Sequence, residues 1–344
     1  MSKAKAKKNP KSKKVTKSTW ITLGVASAIA IGCGIPLGFK LHNMLLADEV
    51  DDSNVDANAF TVNYDSLLTK YKRTKAAGGS YDDAFTAPDL ANVSIALLIS
   101  NSTWYAQCSG QAVVPAVNVV QQIRSTKIRA NDSYFEESNS KSSVVALADR
   151  AYSSGGTTKA YHGSIGTSVE EGVYEAKDVT SYTDKEYKEY MGHYVSAPVI
   201  YLICKGTTIT TGTPDSGKAT AIVHNSDGTY TVDLELDKNT ACFNYKTQMV
   251  SISDLASRPT FYFCHLTFQL DQDLNPLSYI AYEKYYAKTK AGVGSEIVAT
   301  LKTEFKMGGD YAIPDLNIPI AYTVTTSCGL TLRRKTCLTG PFQS

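Results

Sequence analysis

Three successive segments near the carboxy end constrain the fold more than any other feature of the chain. They are "FYFCHLTFQL" (261–270), "SYIAYEKYYA" (278–287) and "SEIVATLKTEF" (295–305), joined by short polar turns at 271–276 and 290–294. Side chains alternate between faces along a strand. The alternation places Tyr262, Cys264, Leu266, Phe268 and Leu270 on one face of the first strand. In the third, Ile297, Ala299, Leu301 and Phe305 oppose Glu296, Thr300, Lys302 and Glu304. Strands of ~10 residues exceed the usual length. A meander of them has one apolar face that another layer must cover. A hairpin, "ATAIVHNSDGTYTVDLEL", precedes it and turns on Asp227-Gly228, where glycine supplies the positive φ of the turn.

Helices upstream are the available cover. In "AFTVNYDSLLTKYKRT", Phe60, Tyr64, Leu67, Leu68 and Tyr71 recur at helical spacing, and "AAGGS" (76–80) breaks the pattern. A second helix is expected over "APDLANVSIALLIS", with Asp89 as its N-cap, in a region bounded by Pro115. Beyond Pro115 the period becomes two. "VNVVQQIRSTKIR" and "SVVALADRAY" read as strands and "GVYEAKDV" as a weaker one, while "TDKEYKEYMGH" reads as a short helix with Thr183 and Glu186 in capping-box positions. The expected class is α+β: an N-terminal transmembrane helix, then helices packed on a large curved antiparallel sheet, an incomplete half-barrel.

The amino end sets the location. Residues 1–18 carry eight lysines and no acid; the remaining 27 basic residues face 33 acidic ones, so the body is mildly acidic. That argues against a nucleic-acid-binding body. Trp20 to Phe39 are twenty residues without a charge, spanning roughly 30 Å as a helix, about the thickness of a bilayer core. The lysine asymmetry keeps the amino terminus in the cytoplasm. The run is longer than the ~7 to 15 residues of a signal-peptide core and lacks a good A-x-A site, Leu45-Leu46-Ala47 being the nearest. The expected organisation is a basic cytoplasmic tail (1–18), a transmembrane helix (19–40), a stalk (41–58), an extracytoplasmic α+β domain (59–310) and a C-terminal extension (311–344).

Other motifs fail on their chemistry. "GTPDSGKAT" (212–220) differs from a phosphate-binding loop at Ala219, where a hydroxyl should bind magnesium, and a hairpin follows where a helix is needed. Asp271, Asp273 and Asn275 alternate as in a calcium loop, but Pro276 and Tyr282 occupy the glycine and glutamate positions. The histidines are scattered and no C-x-x-C occurs, so no metal or cofactor is expected. Cys204, Cys242 and Cys264 sit in apolar strand-like contexts and read as free buried thiols, while Cys328 and Cys337 are the best disulfide candidates. "TLRRKTC" (331–337) is similar to the T-L-x-T-C strand of sortases, but two residues too long and too near the end; a cysteine enzyme using Cys337 and His265 is the weakest alternative.

The order "GTYTVDLELD", "FYFCHLTFQLDQDLNPLSYIAYEKYYA" and "SEIVATLKTEF", within residues 115–307, resembles the LolA-like superfamily of lipoprotein-localisation factors and LppX/LprG-type lipoproteins, as in uncharacterised anchored proteins of Gram-positive bacteria. The resemblance implies an apolar hollow that binds a lipid without catalysis. Tyr262, Leu266, Phe268, Ile280, Tyr282, Ile297, Leu301 and Phe305 are the candidate ligand-binding residues, and the membrane and an apolar ligand are the candidate partners. A structural or protein-interaction domain with a filled core is the alternative. Several members of that superfamily are lipoproteins, which draws attention to Cys33. It lies behind Ala30-Ile31-Gly32, where an aliphatic residue would be wanted at position 30, and apolar sequence continues after it. Replacing it decides between the two forms of attachment: Cys33→Ser is expected to leave the full chain in the membrane fraction with no loss of a metabolic acyl label, and loss of that label would establish lipidation instead.

Overall fold

The computed structural model of the protein describes residues 62–143, 146–170, 172–174, 179–204, 209 and 221–314. The expected cytoplasmic tail, membrane segment, stalk, phosphate-loop-like stretch, Cys328, Cys337 and nearly all of the C-terminal extension lie outside the described residues. Among the described residues no helix is long and apolar enough to cross a membrane.

Helices α1 (Tyr64–Ala76), α2 (Tyr81–Ala84) and α3 (Ala87–Ser100) come first. Asn63 caps α1 by accepting from the Ser66 N–H. The N-cap of α3 is Thr86, one turn earlier than expected. Asp89 is its N3 partner, so that Thr86 and Asp89 close a capping box around Pro88. The misplacement follows from the motif itself, since both residues exchange side-chain bonds with backbone N–H groups. Tyr71 of α1 donates to the Asp273 carbonyl (2.9 Å) and Lys75 pairs with Asp273 (2.6 Å), pinning α1 to a distant turn.

Among the described residues twelve strands form one antiparallel sheet. The first six are β1 (Thr103–Val114), β2 (Val119–Ala130), β3 (Ser133–Lys141), β4 (Ala146–Ser154), β5 (Thr157–Ile165) and β6 (Gly172–Tyr174). After β7 (Thr180–Thr183) and helix α4 (Asp184–Met191) come β8 (Ile222–His224), β9 (Tyr230–Glu235), helix α5 (Phe243–Ile252), β10 (Thr260–Leu270), β11 (Pro276–Lys288) and β12 (Gly294–Met307). The spatial order is β6-β5-β4-β3-β2-β1-β12-β11-β10-β9-β8, with β7 beside β5. Among the described residues the sheet is open: β6 and β8 end the path without pairing to each other. The capping box of α4, the Asp227-Gly228 hairpin and the three long strands stand as the sequence indicates.

Three expectations need correction. Residues 103–114 form a full strand, β1, inside the region assigned to helix. Cys242 caps α5 rather than lying in a strand, and Cys204 lies in no strand. The cover is also wider than α1 and α3. Helix α3 buries Leu90, Val93 and Leu98 in one core with Val232, Leu234, Leu266, Phe268 and Leu270 of β9 and β10. Segment 193–204 joins that cover, Asn92 of α3 donating to the Ile203 carbonyl (2.9 Å), and so do α4 and α5.

Gly110 lies at the middle of β1, between Ile123 of β2 and Leu301 of β12. A Cβ there would run into the Thr300 carbonyl and stand 2.9 Å from the Leu301 Cα. Backbone proximity, not a positive φ, requires glycine. Gly110→Ala is expected to cost about 2 kcal/mol or more, read as thermal or denaturant unfolding. Gly78→Ala, where a φ of 64° is the sole obstacle, is expected to cost about 1 kcal/mol; equal losses would show that crowding at Gly110 is not limiting.

Candidate functional site

Pairing register aligns side chains in rows across the inner face. One row runs Ser138, Ser125, Cys108, Thr303, Tyr279, Phe268; the next runs Ser140, Ile123, Gly110, Leu301, Ala281, Leu266; a third runs Gln121, Ala112, Ala299, Glu283, Cys264. On the β9–β10 side these rows end in large apolar residues packed under α3. On β1 they carry Cys108, Gly110 and Ala112, which are small, and Ala106 follows on the same face. A cavity of 390 Å³ lies above them, walled by Tyr201, Tyr245, Met249 and Ile252 from segment 193–204 and α5.

Of the eight candidate residues, Ile297 and Leu301 line this cavity. Leu266, Phe268 and Phe305 are buried in the solid part of the core, Phe305 against Tyr279 at 5.8 Å. Tyr262, Ile280 and Tyr282 are on the opposite face. A bulge between Phe261 and Phe263 makes Tyr262 the extra residue, so that Phe261 faces inward and Tyr262 is 39% exposed. In β11 the inward residues are Tyr279, Ala281, Glu283 and Tyr285, because Ala281 is registered on Leu266 and Leu301. Ile280 is therefore 41% exposed, and Tyr282 packs outside on Phe263 (5.1 Å). The stretch "SYIAYEKYYA" is apolar at both parities, and a glutamate in the inward set hides the true one.

Glu283 is fully buried between Cys264 and Ala299, and Tyr201 donates to its Oε1. Burial pushes its carboxyl up to about 7, against the lowering pull of the Tyr201 and Tyr245 hydroxyls. The phenols of Tyr201, Tyr245, Tyr279 and Tyr285 and the thiols of Cys108 and Cys264 are also pushed up, mainly by burial. None of these groups supplies a positive charge. Tyr201 lies on segment 193–204 and Tyr245 on α5, so both elements of the cover meet at Glu283.

A second buried carboxylate at the β2–β3 end has the opposite surroundings. Glu136 accepts from Tyr187 of α4 (2.5 Å), pairs with Lys127 (2.9 Å), and lies 2.9 Å from His193 Nε2. Burial opposes its ionisation, but the Lys127 ammonium and the His193 ring outweigh it and hold the carboxyl well below the ordinary range. His193 Nδ1 lies 3.1 Å from the Met191 carbonyl, so both ring nitrogens face acceptors. Sequence reasoning missed this cluster and Glu283 alike, for want of any local spacing rule linking positions 127, 136, 187 and 193. Among the described residues there is no group of side chains suited to a metal ion. The 271–275 turn is closed by Asp271 accepting from the Asp273 and Asn275 N–H groups, which uses its carboxylate internally.

The raised carboxyl of Glu283 has a signed consequence. Between 4.5, its ordinary value, and about 7, the folded chain retains a proton that the unfolded chain has released. Stability therefore falls as pH rises through that window, by about 3 kcal/mol in all. Glu283→Gln is expected to remove this slope, read as denaturant unfolding at several pH values; equal slopes in the two proteins would overturn the assignment. Protonation of the Glu136 carboxyl itself falls below that window.

No family model matches the chain, and no curated protein matches it. Among solved structures, an AttH candidate from Nitrosomonas europaea is 11% identical with a TM-score of 0.19; the alignment covers 62% of this chain and 54% of that one. This chain thus spans about half the length of the Nitrosomonas protein. A β-barrel-like protein of a domain of unknown function from Brucella abortus is 7% identical with a TM-score of 0.23, over 61% of this chain and 99% of that one. Likenesses of this degree establish neither fold nor function.

Proposed function

We propose that the chain is a membrane-tethered extracytoplasmic domain that binds an apolar ligand such as a lipid, without catalysis. The carrying observation is the 390 Å³ cavity over the small inward residues of β1, walled by the aromatic and aliphatic side chains of the cover. Its volume lies within the ~300–1,000 Å³ of small-ligand pockets. At ~0.8 kcal/mol per buried CH₂, a sixteen-carbon chain offers roughly 12 kcal/mol gross, before the entropy of binding. Eight lysines followed by twenty uncharged residues support the tether and the outward placement of the domain. A tethered binder receives, senses or hands over its ligand locally. His265 stacks on Phe263 at 4.9 Å beside Glu235, which fits packing better than an enzyme. A protein-interaction role is the second reading, favoured by Tyr262 and Ile280 exposed on the outer face of β10 and β11.

Filling the hollow tests the first reading. Ala112 lines the cavity between Gln121 and Ala299. The full chain purified in amphipol is expected to yield an apolar molecule on organic extraction and mass spectrometry, and Ala112→Phe is expected to lose it while unfolding at a similar temperature. Identical extracts from the two proteins would sink the lipid reading.

A further inference from the structure

The cavity has two chemically different ends. Around β1, β11, β12 and α5 it is lined by Ala112, Ala281, Ile297, Leu301, Met249 and Ile252. Toward β2 and β3 the lining turns polar around Ile123: Gln121, Ser125, Ser138 and Ser140 face inward, with Ser125 and Ser138 directly opposite across the ladder and Gln121 donating to Ser140. Hydroxyls both donate and accept, and Ser125 and Ser138 face the cavity side by side.

The charges in the lining are already used. Lys127 pairs with Glu136 (2.9 Å), Arg150 with Glu137 (2.7 Å), Asp149 with His162 (2.5 Å) and Asp254 with Lys290 (3.4 Å). Lys127 also donates to the Ala197 carbonyl (2.8 Å). Four acids and two bases of these pairs line the cavity, so a carboxylate or phosphate entering it meets no unpaired cation among the described residues. A buried anion without a partner is strongly disfavoured. A cation fares little better, because Glu136, Glu137 and Asp254 have cationic partners and the Asp149 carboxylate is taken up by the His162 ring.

We infer that the ligand is a single-chain amphiphile with an uncharged, hydroxyl-bearing head, the head seated on Ser125 and Ser138 of β2 and β3 and the chain running toward α5. The inference rests on the lipid-binding reading above. A volume near the lower end of the ligand-pocket range sets the limit of one chain.

Three photoactivatable probes sharing one twelve-carbon diazirine chain separate the possibilities: a monoacylglycerol, a fatty acid and a quaternary ammonium. Each is offered to the full-length chain in nanodiscs, and adducts are mapped by mass spectrometry to peptides of α5, which distinguishes the cavity from the bilayer. The monoacylglycerol is expected to reach half-maximal labelling at about tenfold lower concentration than either charged probe, and the double variant Ser125→Ala with Ser138→Ala is expected to abolish that advantage while leaving the charged probes unchanged. Equal or tighter labelling by a charged probe, or a double variant that weakens all three probes alike, overturns the head-group inference and leaves the apolar-ligand reading in place. Failure of all three to label α5 overturns the apolar-ligand reading itself, and the inference with it.

Discussion

The ladder between β1 and β12 is the constraint on which the rest of the molecule depends. It runs from Trp104 opposite Met307 to Val113 opposite Val298, and it joins two meanders that are otherwise separate, β1 to β6 and β8 to β12. Every other pair along those paths joins strands consecutive in the sequence. This one closes a loop of nearly the whole domain, so its entropy of closure is offset only after both halves have formed. Gly110 lies inside that ladder, where the Thr300 carbonyl approaches its Cα too closely for any side chain. The seam and the cavity thus share one cause: the residues that let β1 sit against β12 are small, and small residues leave space on the inner face.

One sheet consequently has two regimes of packing. Over β9 and β10, leucines and phenylalanines meet Leu90, Val93 and Leu98 of α3 and fill the space. Over β1, Ala106, Cys108 and Ala112 leave the facing elements, segment 193–204 and α5, standing off as walls. Those walls are held by polar contacts that span the gap, Tyr201 to Glu283 on one side and Lys127 to the Ala197 carbonyl on the other. Buried polar bonds of this kind are directional, so they hold the cover at a set height where apolar packing alone would let it settle.

How much of this was legible in the sequence follows from the same division. Strands with large alternating apolar residues, β10 and β12, announce themselves, as do capped helices such as α4. Strand β1 does not, because its inward set of alanine, cysteine and glycine has too little hydrophobic contrast with Gln107, Ser109 and Gln111 facing out. The feature that makes the cavity is the one that erases the strand's signature. In β11 the failure is one of parity: Tyr279, Ala281, Glu283 and Tyr285 compete with Ile280 and Tyr282, and only cross-strand register decides. Two of the eight expected site residues, Ile297 and Leu301, line the cavity because the pattern of β12 admits one reading alone.

Two inward-facing buried carboxyls, Glu136 and Glu283, complete the electrostatic description of the cavity. Glu136 is held ionised by the Lys127 ammonium together with hydrogen bonds from His193 and Tyr187, so its charge is present and neutralised where the serines lie. Glu283 has tyrosines, cysteines and alanine around it and pairs with no cation among the described residues, so burial drives it toward the protonated form below about 7. One acid keeps its charge and surrenders its field to a partner, while the other gives up the charge itself. The result in mildly acidic to neutral conditions is an inner face that buries two carboxyl groups and still offers an entering molecule no unpaired cation among the described residues. That condition suits an apolar chain at one end and hydrogen-bonding, uncharged atoms at the other.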